Sequence, residues 1–297
     1  SSSLFRLNGA GWLLAQRYRD FAQQQHIHHC TIHYVHGSTA DHPAPLGEIQ
    51  NLNRFLVYRL YIMKLKEKVI VITGASDGIG KEITLRLAQE GSKLALIARD
   101  EKKLNDVSEK AKELGAADVK FYTCDIRKTN NLKKIVKSII SDFNAVDILI
   151  NNAGIWQKVM PVDEIEESIV DDIIATNLSA VIHTTRLLLP ILRTRDEAAI
   201  INVISKSGIT AQEGQSVYTA SKYGVHGFTE ILKADLKNTK IKVAGVYQSG
   251  TNTKMFEKAG EIFPTDNFTN PSDLADIIAY MLSRPDKIRL HDVRVEK

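Results

Sequence analysis

The chain has 297 residues, 43% of them apolar and 25% charged, with a formal net charge of +4. That length buries one large core, and no stretch approaches the roughly 18 apolar residues of a membrane helix, so a globular protein without a membrane partner is expected. The charge lies in mixed-sign segments without a Lys/Arg run, which argues against a nucleic-acid partner, and two cysteines, Cys30 and Cys124, are too few for a disulfide framework and point to a reducing, cytoplasmic setting.

Residues 1–62 differ in composition from the rest. They hold five arginines and no lysine, whereas lysine outnumbers arginine 25 to 9 from Met63 onward. The break marks a boundary between an N-terminal extension and a domain over 63–297 that opens with K-L-K-E-K and a strand. The extension reads as dispensable for chemistry. Its first nineteen residues contain Ser and Arg and no acid, which admits a transit peptide, although the apolar run G-W-L-L-A is short. His26, His28, His29, Cys30, His33 and His36 are metal-ligand types, but their spacing matches no zinc pattern, so no metal site is assigned.

From residue 63 the chain alternates β-branched runs with helical patterns. Strands are predicted over 68–73, 93–98, 118–123, 147–151, 199–204 and 240–247, with a seventh around 288–295. Helices are predicted near 80–90, 101–114, 128–143, 168–193, 216–236 and 271–283. This order belongs to an α/β fold, a doubly wound parallel sheet with helices on both faces, in one domain.

The first strand runs into T-G-A-S-D-G-I-G, Thr73 to Gly80. Gly74, Gly78 and Gly80 let backbone approach a pyrophosphate, and the helix start exposes amides toward it, with Ser76, Asp77 and Ile79 in the same turn. The three-residue gap before the second glycine differs from the common G-x-G-x-x-G spacing, so a tight strand-helix connection remains an alternative for the turn alone. The second strand ends at Ala98, Arg99, Asp100. An acid there would accept from the ribose 2'-hydroxyl of NAD, whereas Arg99 suits a 2'-phosphate, so NADP is the expected cofactor and NAD the lesser alternative. Asp100 is assigned to the cap of the next helix.

Further on, Ser205 ends a strand, and Tyr218 and Lys222 stand four residues apart in Y-T-A-S-K, on one face of a helix. A free tyrosine titrates near pH ~10, too high for acid-base work at neutrality, and a nearby cation lowers that value. With the glycine turn, C-D-I at 124–126, N-N-A-G at 151–154 and Asn177 in A-T-N-L-S, the chain resembles the short-chain dehydrogenase/reductase family over essentially all of 63–297. The resemblance implies a tetrad of Asn177, Ser205, Tyr218 and Lys222. It implies that Asp125 and Ile126 flank the adenine, and that residues 151–154, including Asn152, Ala153 and Gly154, support the sheet and the cofactor ribose. Lys222 would bind the nicotinamide ribose, and Asn177 would anchor a proton-relaying water.

Two departures stand out. The family's usual Pro-Gly after the sixth strand is Gln248-Ser249 here, which leaves Thr251 and Thr253 as donors to the cofactor. Lys206 follows Ser205 and either favours an acidic substrate or is simply solvated. The stretch 254–270 is too short for an elaborate lid, and Trp156 and Met160 are placed in a compact pocket, although core packing explains them equally well. The tail L-H-D-V-R-V-E-K lacks the glycine-rich ending typical of oxoacyl-carrier-protein reductases. The expected function is an NADP-dependent carbonyl reductase or alcohol dehydrogenase acting on small molecules, as a homodimer or homotetramer. The alternatives are a non-catalytic NADP-binding sensor or scaffold and an oxoacyl-thioester reductase.

Overall fold

The computed structural model describes residues 65–285 and 288–296. The extension with its histidine cluster and Cys30 lies outside the described residues. Seven strands form one parallel sheet in the order β3-β2-β1-β4-β5-β6-β7. They are β1 (Val69–Thr73), β2 (Lys93–Ala98), β3 (Asp118–Thr123), β4 (Ile148–Asn151), β5 (Ala198–Val203), β6 (Ile241–Gln248) and β7 (Asp292–Val295). The chain winds outward from β1 to β3 and then returns to build from β4, so the carboxyl ends of β1 and β4 flank the crevice where doubly wound folds bind their ligands.

The central strand shows why both faces are covered. Alternate side chains of a strand point to opposite faces, and every residue of β1 is buried. Ile70 and Ile72 join a core with Leu87 and Ile278, while Val69 and Val71 join another with Leu132 and Leu188. Those partners come from α1 (Gly78–Ala88), α3 (Thr129–Phe143), α5 (Ala180–Leu192) and α7 (Pro271–Leu282). The remaining helices are α2 (Glu101–Glu113), α4 (Glu167–Ile174) and α6 (Ser216–Asp235). Among the described residues no helix is long and apolar enough to cross a membrane.

The seventh strand is shorter than expected, Asp292–Val295 rather than 288–295, and two other departures have physical reasons. The single helix predicted over 168–193 is α4 and α5 joined by a π-helical turn, Ala175–Ser179, which widens the backbone around Asn177. The sixth strand runs one residue further than predicted. Gln248 pairs with Val295 and Ser249 N–H donates to the Val295 carbonyl at 2.9 Å, a continuation in which Gln248 keeps the backbone N–H that proline lacks.

Candidate active site

The glycine turn is built by close backbone contact. A Cβ on Gly80 would lie 2.2 Å from the Gly74 carbonyl oxygen and 2.4 Å from Asn152 Nδ2, so only glycine fits. The Asn152 side chain donates to the carbonyls of Thr73 and Gly74 at 3.0 and 3.3 Å, and Thr73 Oγ1 accepts from the amides of Asn152 and Ala153, each at 3.1 Å. The end of β4 is thereby stitched to the end of β1. Asn151 donates to Thr185 on α5 at 3.0 Å and to Asn202 on β5 at 2.8 Å.

Asp77 caps α1 by accepting from Gly78 N–H at 2.9 Å. Its other oxygen receives two lysines, Lys103 and Lys258, each at 2.9 Å. Burial alone would raise this carboxyl's pKa, but the hydrogen bonds from Lys103 and Lys258 hold it well below the usual carboxylate range. Ser76 and Ile79 sit partly buried in the turn, Ile79 against the core. Arg99 is exposed at the end of β2, and Asp100 caps α2 by accepting from Lys103 N–H at 3.0 Å. The Asp125 carboxylate is bound by the Arg127 guanidinium, which also reaches Asp172, and Ile126 is buried beside it.

The chain after β6 returns to this turn. The Thr253 methyl would lie 3.2 Å from a Cβ on Gly78, so Thr253 packs on the glycine turn. Thr251 instead is buried against Thr269, with Oγ1 atoms 3.3 Å apart.

The four residues of the expected tetrad converge beneath N-N-A-G. Asn177, fully buried in the π turn, accepts from Ile155 N–H at 2.8 Å and donates to the Ile155 carbonyl at 2.9 Å. A Cβ on Gly154 would lie 3.4 Å from Asn177 Oδ1 and 3.6 Å from Lys222 Nζ, so both groups lie directly against this glycine. Ser205 adopts φ 144° and ψ 157°, a region nearly reserved for glycine that costs about 1–3 kcal/mol and is held where surrounding structure enforces it. Part of that enforcement is Gly208, where a Cβ would lie 2.9 Å from the Lys222 carbonyl oxygen, so the serine turn presses directly on α6.

Tyr218 and Lys222 are 4% and 5% exposed. Gln157 Oε1 accepts from Tyr218 N–H at 2.8 Å and so fixes the start of α6. Burial pushes the Tyr218 phenol up to about 12, opposed by a hydrogen bond with Ser205. Burial likewise pushes Lys222 down to about 8. The net shift of the tyrosine is therefore upward, against the lowering expected from its lysine. Lys222 Nζ lies 5.7 Å from the phenol ring centre and donates to the Val203 carbonyl at 3.3 Å, and desolvation outweighs a charge at that distance.

Trp156 stacks edge-on to Tyr218 with ring centres 4.5 Å apart and meets Phe256 at 4.9 Å. Met160 N–H donates to the Gly214 carbonyl at 3.1 Å, and Lys206 pairs with Glu296 at 3.4 Å. Sequence reasoning missed Lys103, Lys258, Phe256 and Glu261. Their partners are distant in the chain, and no local pattern marks them.

Comparison with known proteins agrees with this geometry. The short chain dehydrogenase family pattern matches residues 68–262. An oxidoreductase of Staphylococcus epidermidis is 30% identical over 232 residues, covering 78% of this chain and 98% of its own length. A 3-oxoacyl-[acyl-carrier-protein] reductase of Thermotoga maritima is 34% identical over 230 residues, covering 74% and 92%. Among solved structures, a metagenomic short-chain oxidoreductase in complex with NADP superposes with a TM-score of 0.69 at 27% identity, covering 78% of this chain and 97% of that one. An actinorhodin polyketide ketoreductase with NADPH gives 0.70 at 28%, covering 77% and 95%. The chain is an oxidoreductase and belongs to the short chain dehydrogenase family.

Proposed function

We propose that this oxidoreductase is an NADP(H)-dependent carbonyl reductase, interconverting a small carbonyl compound and its alcohol, with Tyr218 as acid and base. The observation that carries the reading is the grouping of the four residues: Asn177 and Lys222 both lie against Gly154, and Tyr218, one turn before Lys222 on α6, bonds to Ser205. The fit to a dinucleotide rests on the turn at Gly74–Gly80, where a Cβ on Gly74 or Gly80 would strike neighbouring backbone and the chain can approach a ligand closely. NADPH, when bound, supplies the hydride that the carbonyl carbon takes up.

The chain's own groups do the rest. At neutral pH a phenol held near 12 keeps its proton, so Tyr218 is set as the acid for reduction. Ser205 donates a hydrogen bond to the substrate oxygen, and the Tyr218 proton passes to that oxygen as it becomes an alkoxide. The Lys222 ammonium, charged below about pH 8, stabilises the phenolate that is left and binds a ribose hydroxyl in the space beside Gly154. Asn177 anchors the water through which the phenol is reprotonated. Oxidation runs the same steps in reverse.

The preference for NADP is supported by Arg99, exposed where a 2'-phosphate would lie, and by the NADP-bound relatives. Asp77 bears a charge unfavourable to phosphate, and Lys103 and Lys258 cover it. The Thermotoga relative favours a second reading, an oxoacyl-thioester reductase. A non-catalytic sensor has less support, because all four catalytic residues are present. Exposed Tyr223 and Ile231 on α6 support association into a homodimer or homotetramer.

Titration with NADPH and NADH followed by fluorescence, and turnover on aldehydes, ketones and 3-oxoacyl thioesters followed by nicotinamide absorbance, test the reading. NADPH-dependent turnover of a free ketone is the expected outcome. Turnover of thioesters alone selects the second reading, and absence of dinucleotide binding ends both.

A further inference from the structure

Glu261 is a carboxylate that no step above uses, and it reaches into the site from the segment after β6. Its Oε2 accepts from Trp156 Nε1 at 2.6 Å and its Oε1 from Val159 N–H at 2.9 Å. Each is a charge-assisted hydrogen bond, shorter and stronger than the contact of a neutral acceptor. The indole so held lies edge-on to Tyr218 at 4.5 Å and 63°, and meets Phe256 at 4.9 Å and 81°. Phe256 is backed in turn by Phe263 and Phe268, with ring centres 5.0 and 5.6 Å away.

The wall over the acid-base tyrosine is therefore aromatic, and one carboxylate sets the angle of its central ring. Aromatic faces and edges in this range favour flat, apolar partners. The same carboxylate is partly buried at the rim of that wall. It penalises a second negative charge brought beside it, and the penalty grows as water is displaced. The nearest cation in sequence to Ser205, Lys206, is engaged by Glu296.

We infer that Glu261 is a positioning residue that holds Trp156 over Tyr218 and so selects neutral, flat aryl or cyclic ketones over carboxylate-bearing ones. The inference rests on the carbonyl-reductase reading and names its substrate class. Two probes of equal shape separate the charge effect: methyl 4-acetylbenzoate and 4-acetylbenzoate, each reduced with NADPH by the full chain. The wild type is expected to favour the ester by about tenfold or more in kcat/KM, the scale of one lost charge-assisted contact. In Glu261→Ala the KM for the ester rises by roughly tenfold while kcat stays within about threefold, because the tyrosine is untouched and its cover is loosened. Glu261→Gln, which keeps one acceptor but no charge, recovers part of that KM and loses the discrimination between ester and acid.

The spectroscopic arm is independent of turnover. With Trp12→Phe as background, Trp156 is the remaining tryptophan, and its emission shifts in Glu261→Ala in the absence of any cofactor. NADPH affinity stays the same in both variants. Unchanged KM, selectivity and emission overturn the inference, as does a wild type that prefers the acid. A parallel loss of NADPH binding and kcat overturns it as well, because it marks Glu261 as a general structural support. If the wild type binds no dinucleotide, the reductase reading falls and the selectivity with it, whereas unchanged selectivity in an active enzyme removes the Glu261 assignment alone.

Discussion

The floor and the roof of the site are built in different ways. The floor comprises Asn177, Ser205, Tyr218 and Lys222, buried and held by regular elements: a π turn, a strand end and one face of α6. The roof comprises Phe256, Lys258 and Glu261, on a segment with a single short 3-10 turn at Glu257–Ala259. Side-chain bonds from Lys258 to Asp77 and from Glu261 to Trp156 tie it down. Ile262, beside the second tie, is 94% exposed. Backbone-built placement resists drift and suits proton transfer, where geometry must hold to a fraction of an ångström. Placement by a few side chains is easily altered, and it suits the choice of substrate and cofactor.

Lys222 is where the buried floor responds most strongly to substitution. Lys222→Met should cost roughly 10²-fold or more in kcat, the scale of a lost acid-base partner. The fold should gain, because burial has moved this lysine from 10.5 to about 8 and carrying its charge inside costs about 3 kcal/mol at neutral pH. A folded-state value below the unfolded one means the penalty is full below about pH 8 and fades as pH rises toward 10.5. Thermal unfolding at pH 7 should therefore show the variant more stable by about 1–3 kcal/mol, with the gap closing by pH 10.5. Equal stability at pH 7 would mean that contacts of the folded ammonium offset its burial and that its pKa is not lowered.

A pH profile sharpens the same point. Reductive kcat/KM should be level from pH 6 to about 7.5 and fall above about 8, as Lys222 loses the proton that supports the phenolate. A profile flat to pH 10 would separate Lys222 from the proton transfer.

The roof gives smaller effects. Lys258→Ala should weaken NADPH by about threefold to tenfold and NADH by less, since it uncovers the Asp77 charge beside the proposed phosphate-binding turn and NADPH carries one more phosphate than NADH. Kcat at saturating cofactor should hardly move. Titrations of both nucleotides decide this, and equal losses for the two would remove Lys258 from the choice between them.

The legibility of the two regions follows the same division. Strand and helix periodicity located every element of the sheet, because the buried β1, β2 and β5 are nearly continuous apolar runs. Tyr218 and Lys222 were visible because a helix converts a spacing of four into one face. What the sequence could not reveal was set by burial or by distant contact. The upward shift of Tyr218 reflects how deeply α6 packs, which no spacing encodes. The π turn at Asn177 looks, in sequence, like uninterrupted helix. Glu261 and Trp156 are 105 residues apart, and Lys258 and Asp77 are 181 apart. Each pair depends on the path of an irregular segment for which periodicity offers no signal.

The most direct measurement of the central claim is NADPH oxidation by Tyr218→Phe beside NADPH binding by the same variant. The phenylalanine keeps the ring against Trp156 and removes only the hydroxyl with its transferable proton. Unchanged NADPH affinity and a loss of roughly 10²–10⁴-fold in kcat with a neutral aryl ketone are expected. Turnover within a few-fold of the wild type would contradict the claim and place the acid elsewhere.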